Sequence, residues 1–382
     1  MIYLILAWLS YPLIFIISRL ASAGAKDDSF VVFQTAKIGD MVCTTPVFRE
    51  IKNAFPSSRL SVVADPVSIP VIRHNPHVDE IIPFDRKRLK GLLGKLRLAG
   101  EIRKRRFGSA LILMPNATNI LAPFWAMIPK RVAVSPDYLG CTLKRLLRLS
   151  THIEYHIYPR TALETYLKSL RHFGIGVSSL NKEVYASPDA EAKAAPYAAM
   201  MEGSQFVGIA LGTGNAMKDW GKENFMRLSS RLINETSYGV LFLGSEKERP
   251  TGDALRASLH SDKRVINLCG ALSLEEAPAI IKRLSLVIAV DTGLIYMADA
   301  LNIPVVDIAG PCNMSDQRPM GANAFIIQKN DLGCIPCSHT FSVPYECWHK
   351  HRRCITEITV DEVFKTGLKA IQASGDKGKE RA

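Results

Sequence analysis

Apolar residues recur along this chain in short runs rich in β-branched side chains, separated by stretches with a helical repeat. Runs at residues 30–33, 60–64, 80–84, 110–114 and 131–134 fall in the first half, and runs at 206–211, 239–243, 264–266, 286–290 and 305–308 in the second. Uncharged runs of this kind suit strands buried on both faces, as in parallel sheets. Apolar spacing of three and four predicts helices over 41–52, 161–173, 224–233 and 274–284, with a last one over 359–371. The alternation predicts an α/β protein of two domains, 28–180 and 181–358. Residues 359–373 then form a closing helix, and 374–382 a flexible charged tail.

Three loops in this pattern carry candidate chemistry. After the run at 286–290 come Asp291, Thr292 and Gly293, then helix formers up to Leu301, with Asn302 and Pro304 ending the helix. Such a loop lies at the carboxyl ends of parallel strands, where ligands bind. The amides that open its helix would attract phosphate, and Gly293 would let a ligand approach the backbone. Asp291 reads equally as a helix cap. After the run at 30–33, Gly39 and Asp40 occupy the corresponding turn, and Asp40 suits either a reacting carboxylate or an N-cap. After 206–211, Gly212, Thr213 and Gly214 with Lys218 offer amides, a hydroxyl and an ammonium to a diphosphate. No Gly-Lys-Ser/Thr follows at Walker spacing, so a surface loop with an exposed lysine is the plain alternative. Two such loops in one domain suit a nucleotide diphosphate.

Composition sharpens the choice of partner. The 382 residues are 47% hydrophobic and 22% charged, with a formal charge of +12, which points to an anionic partner. Zinc-finger and RNA-binding signatures are missing, so nucleic acid ranks last. Residues 86–106 hold ten Lys or Arg against the single acid Glu101, with a stripe of Leu89, Leu92, Leu93, Leu96 and Ile102. This is a solvated surface helix or a contact for anionic membrane. Residues 1–17 carry no charge and predict a membrane-anchor helix over 1–20. Arg19 and Lys26 after it place the domains on the cytoplasmic side of an inner membrane. A cleaved signal peptide ending at residues 21–23 and a helix lying in the interface are the alternatives.

Four segments together resemble glycosyltransferase family 9, the bacterial heptosyltransferases of lipopolysaccharide core assembly and their relatives. Residues 37–46, KIGDMVCTTP, resemble the family's Gly-Asp, Thr-Pro signature. Residues 212–225, with Lys218 and Trp220, resemble its glycine-rich loop and Lys-x-Trp, and 267–274, NLCGALSL, its Asn-Leu-x-Gly segment. Residues 290–298, VDTGLIYMA, resemble its Asp-Ser/Thr-Gly-x-x-His-x-Ala motif, with Tyr296 where the histidine stands. The resemblance implies a GT-B fold, two Rossmann-like domains facing a cleft. It implies metal-independent, cofactor-free, inverting transfer of heptose or a related sugar from a nucleotide diphosphate such as ADP-heptose to lipopolysaccharide or another lipid-linked acceptor. Asp40 falls on the general base, with Lys37 and Gly39 on the acceptor side. Lys218 and Thr213 fall where the departing diphosphate is held. Gly214, Asp291, Thr292, Gly293 and Tyr296 fall on the sugar-donor side, and Glu248 on a ribose-binding carboxylate. Tyr296 can donate a hydrogen bond but is not cationic near neutral pH. It opens the alternative of a catalytically silent nucleotide-sugar-binding membrane protein, and the same architecture also fits a nucleotide-sugar epimerase.

Cys334, Cys337, Cys347 and Cys354 form a cluster. Their spacing suits reduced structural thiols ahead of a metal site, or two disulfides in an oxidising compartment. Cys43, Cys141, Cys269 and Cys312 lie among apolar residues and read as core.

Overall fold

The computed structural model describes residues 2–21, 26–136, 139–260 and 263–380. The chain divides into two compact units, Met1–Leu180 and Asn181–Ala382.

The first unit runs α1 (Ile2–Ala21), β1 (Lys26–Gln34), α2 (Ile38–Val42), α3 (Thr45–Ala54), β2 (Arg59–Ala64), α4 (Ile69–Ile72) and β3 (Glu80–Pro83). It continues with α5 (Gly91–Lys104), β4 (Phe107–Ile112), α6 (Ala117–Trp125), β5 (Lys130–Pro136), α7 (Cys141–Leu147), β6 (His152–His156) and α8 (Ala162–Ser169). Its six strands are all parallel, in the order β3-β2-β1-β4-β5-β6.

The second unit runs α9 (Pro188–Ala199), β7 (Phe206–Ala210), α10 (Lys222–Glu235), β8 (Gly239–Leu243), α11 (Arg249–Ser258), β9 (Val265–Asn267) and α12 (Ala277–Ile281). Then come β10 (Leu286–Val290), α13 (Gly293–Ala300), β11 (Val305–Ile308), β12 (Ala324–Ile327), α14 (Arg353–Thr356) and α15 (Val360–Glu380). Its order, β9-β8-β7-β10-β11-β12, repeats that of the first sheet and is again all parallel. In such doubly wound sheets the order reverses between the two central strands, and ligands bind outside their carboxyl ends. That point lies between β1 and β4 in one unit and between β7 and β10 in the other.

The central strands are buried on both faces: Val31, Val32, Phe33, Val207, Ile209, Val287 and Ile288 are all fully inaccessible. Burial of this kind contributes about 1.5–3 kcal/mol per large side chain. Trp220 is buried against Phe225, and its indole donates to the Ile358 carbonyl at 2.8 Å, so it ties the loop after β7 to the start of α15.

Several expectations are corrected. Residues 2–21 are helical, but among the described residues no helix is long and apolar enough to cross a membrane. Part of α1 is already committed to protein contact. Ala7 and Ile14 are buried, and Tyr11 stacks on Phe124 of α6 with ring centroids 6.2 Å apart. Ser22 and Ala23 of the cleavage motif lie outside the described residues, as do the side chains of Arg19 and Lys26. The helix expected to close at residue 373 runs on to Glu380, so the stretch up to there is not a loose tail; residues 381 and 382 lie outside the described residues. Two strands were not expected, β6 and β12. In β6 the buried positions are Glu154 and His156 while Tyr155 faces solvent, which inverts the usual alternation. Arg160, Lys168, Arg171 and His172 surround the Glu154 carboxylate and make its burial tolerable.

Candidate active site

In the second unit the loops after β7 and β10 meet because their strands are neighbours. Asp291 does not cap α13. Thr292 is the N-cap, and its side chain makes no capping bond. The Asp291 carboxylate turns instead towards Lys218, 73 positions earlier, and forms an ion pair with its ammonium through Oδ2. The Tyr296 hydroxyl donates to Oδ1 at 2.7 Å, and the Cys312 thiol donates to Oδ2 at 3.1 Å. Asp291 lies just ahead of the N-cap of α13 and Tyr296 near the end of its first turn, and from there the hydroxyl reaches back to the carboxylate.

The electrostatics follow from burial and from this pairing. Burial works against the Lys218 ammonium, but the Asp291 carboxylate outweighs it and holds the group above the ordinary lysine range. Burial would raise Asp291, yet Lys218, Tyr296 and Cys312 together hold it below the usual carboxylate range. Burial, and then the Asp291 charge, push the Cys312 thiol well up. Asp307 on β11 is fully buried, and neither carboxyl oxygen has a hydrogen-bond partner among the described residues. Burial, with Asp291 adding to it, drives its pKa well up and so favours the protonated carboxyl.

The glycine-rich loop borders this network. Thr213 Oγ1 accepts from the Asn215 amide at 3.3 Å, while the Asn215 side chain caps the turn at Met217 and donates to the Pro344 carbonyl at 2.8 Å. Glu248 lies against the same loop. A Cβ placed on Gly212 would come within 2.9 Å of its carboxyl carbon, so a larger residue there would push the Glu248 side chain aside. The Glu248 carboxylate accepts from the Ser245 amide and hydroxyl at 2.8 and 2.6 Å. Gly214 is exposed at the tip, and Gly293 is the first residue of α13. A fixed cation, loop amides and the uncapped start of a helix thus converge at the carboxyl edge of β7 and β10. Such a set stabilises negative charge that develops on a bound phosphate oxygen.

In the first unit the loop after β1 carries Lys37, Gly39 and Asp40. Asp40 is not the N-cap of α2. It is the third helical residue, and its carboxylate accepts from the Lys37 amide at 3.2 Å. Asp40 is half-buried, Lys37 exposed and Gly39 buried. The loop is held from neighbouring strand ends. Thr35 Oγ1 accepts from Asn119 at 2.8 Å and Asn116 at 3.3 Å, and Arg86 reaches the Thr35 carbonyl at 3.1 Å while pairing with Asp65 at 2.9 Å. These supports were not singled out in the sequence. Asn116 and Asn119, placed after the run at 110–114, were the available sign, since Asn116 is the N-cap of α6. Arg86 is a brace here, not part of a uniformly solvated basic face.

Cys334, Cys337, Cys347 and Cys354, with His349 and His351, line one cavity of about 140 Å³. All four are free thiols, and among the described residues no three His, Cys, Asp or Glu side chains are placed to hold a metal ion. Burial raises the Cys354 thiol to about 11. At Cys347 burial acts in the same sense but is outweighed by amides from residues 349–352, which lower it. Cys141, expected in the core, is exposed at the start of α7.

Comparison with known proteins agrees with this geometry. Residues 96–349 match glycosyltransferase family 9 (heptosyltransferase). Lipopolysaccharide heptosyltransferase 2 of Salmonella typhimurium is 25% identical over 310 residues, covering 76% of this chain and 85% of that one. The structure of Escherichia coli ADP-heptose lipopolysaccharide heptosyltransferase II covers 91% of this chain and 99% of its own, with 20% identity and a TM-score of 0.70. A family 9 glycosyltransferase structure from Veillonella parvula gives 91%, 98%, 20% and 0.73. The two doubly wound units, with glycine-rich and Asp-Thr-Gly loops meeting at the switch point of the second, therefore belong to a glycosyltransferase, and the chain is a member of glycosyltransferase family 9.

Proposed function

We propose that this enzyme transfers heptose from ADP-heptose to lipopolysaccharide or another lipid-linked acceptor, with inversion and without a metal ion. The reading rests above all on Lys218, a permanently charged ammonium fixed by Asp291 beside the glycine-rich loop. It would hold the departing diphosphate, with Thr213, Gly214 and the amides of Thr292 and Gly293 completing the cradle. Tyr296 keeps Asp291 in place, and Glu248 takes the ribose. On the acceptor side Asp40 would accept the proton of the attacking hydroxyl, with Lys37 and Gly39 shaping the loop. The sugar and acceptor follow from the heptosyltransferases that this chain resembles. A lipid-linked acceptor places the enzyme at the cytoplasmic face of the inner membrane, against anionic lipid.

The test is thermal stabilisation of the full chain by a panel of nucleotides and nucleotide sugars, followed by transfer assays. A ligand at 100 times its Kd stabilises by about 2.7 kcal/mol. Selective stabilisation by ADP-heptose, with acceptor-dependent ADP release, is the expected result. Stabilisation by a different nucleotide sugar would replace the donor, and sugar conversion without acceptor would make the protein an epimerase. No stabilisation of folded protein by any of them would overturn the reading.

A further inference from the structure

Among the described residues of the first unit, the outer face of α1 has no counterpart. Ile5, Leu6, Trp8, Leu9, Leu13 and Ile16 remain 40% to 72% exposed, while Ala7, Ile14 and Tyr11 hold the helix against α6. An apolar surface of this extent on one element marks an interaction site. Its surroundings say with what. The crossovers β3–α5–β4, β4–α6–β5 and β5–α7–β6 all step in one direction along the sheet, so right-handed connection puts α5, α6 and α7 on one face. α1, α5 and α7 each pack on α6, so this face presents α1 flanked by α5 and α7. Arg97 and Lys104 of α5, Lys144 and Arg145 of α7 and Arg148 just after it are exposed. So are Leu93 and Leu96 of α5. The four helices carry one acidic residue between them, Glu101, and it is paired with Arg88.

We infer that this face docks on an anionic lipid bilayer, with α1 lying in the plane of the headgroups and its outer side chains in the acyl boundary. An apolar stripe with cations on either side is what a helix in the interface needs, and each cation near an anionic surface strengthens binding about fivefold. A second copy of the chain is the competing occupant. A symmetric dimer through this face would set the same cationic helices against themselves, which opposes it. The inference deepens the placement proposed above but concerns the first unit alone, so its test needs no nucleotide or acceptor.

The experiment is flotation of the full chain with vesicles of phosphatidylglycerol and phosphatidylethanolamine, and with phosphatidylcholine alone. The wild type is expected to float with the anionic vesicles and to bind the neutral ones at least about tenfold more weakly. The double variant Leu9→Glu, Leu13→Glu should stay at the bottom with an unchanged circular-dichroism melt, because both side chains already face solvent. The triple variant Lys144→Glu, Arg145→Glu, Arg148→Glu should lose the preference for anionic vesicles. Fluorescence quenched by brominated lipid in the wild type, and unquenched in Trp8→Phe, would put α1 in the acyl boundary. Folded wild type that stays at the bottom, or floats as well after Leu9→Glu, Leu13→Glu, overturns the inference. So does a dimer seen by light scattering that the double variant dissolves without any vesicle binding.

Discussion

The loops after β7 and β1 occupy the same place in their sheets yet are held in opposite ways. After β7, Lys218 is fixed by a carboxylate 73 positions away, and that carboxylate is in turn gripped by Tyr296 and Cys312 in a largely buried setting. After β1, the Asp40 carboxylate stands half-exposed and accepts an amide from three positions back in its own helix turn. A buried ion pair is costly to break, because either member left alone is a desolvated charge. A local capping bond at a solvent-facing helix end contributes about 1 kcal/mol. The difference teaches that chemistry and folding are coupled at Lys218 and separable at Asp40.

Lys218→Ala breaks the comparison most severely. It strands Asp291 beside the buried Asp307, and should cost about 3–5 kcal/mol of stability together with about a thousandfold in kcat. Melting and turnover measured on the same preparation check both. A variant that melts like the wild type would mean that the pair is not the buried bond described here. Asp40→Ala should behave in the contrary way, losing at least about a hundredfold in kcat with stability changed by about 1 kcal/mol or less. A large melting shift there would move Asp40 from chemistry to structure.

The next effect separates the two carboxylates of the second unit. Asp307 has a raised pKa in the folded protein, so it binds a proton that the unfolded chain releases near its ordinary value of about 4. Its contribution is fully present below that value and is lost as pH rises towards the folded pKa, by at most about 1.4 kcal/mol per pH unit. Asp291 is lowered, so its contribution is present above about 4 and is lost as pH falls through the folded value. Denaturant unfolding across pH should therefore show a decline as pH rises above about 4 that Asp307→Asn removes, leaving the loss below about 4 unchanged. A decline that persists in that variant assigns it to another group.

Much of this fold was legible because the ten expected strands are apolar and β-branched, and burial on both faces demands such runs. The two missed strands fail that rule for identifiable reasons. β6 buries Glu154 and His156 among cations and β12 is only partly buried, so neither shows the pattern of a central strand. Local sequence also placed the candidate residues on loops that follow strands, since a glycine-rich turn and an Asp-Thr-Gly turn are local features. It did not give their partners. The bond from Lys218 to Asp291 and the thiol of Cys312 depend on which strands neighbour one another, and no periodicity encodes that. Asp291 and Asp40 were each open to the N-cap role, but α2 starts two residues before Asp40 and α13 takes Thr292 as its N-cap, and the apolar pattern does not fix helix starts to within a residue or two.

Tyr296 gives the smallest effect and the finest test. Its hydroxyl is one of three groups donating to the Asp291 carboxylate, so Tyr296→Phe leaves the ammonium and thiol in place and removes a single bond to a charge. The cost should be about 1.5 kcal/mol in stability, with a modest rise in the KM for the nucleotide sugar and little change in kcat. Tyr296→His asks whether the ring that stands here in the family motif would serve as well. An imidazole beside that carboxylate would gain charge near neutral pH, so the variant's nucleotide affinity should become pH-dependent around 6 to 7 where the wild type's stays flat. A wild type already pH-dependent in that range would mean that another group titrates at the site. A drop in kcat as large as that of Lys218→Ala would show that Tyr296 touches the transferring group itself, and does more than hold Asp291 in place.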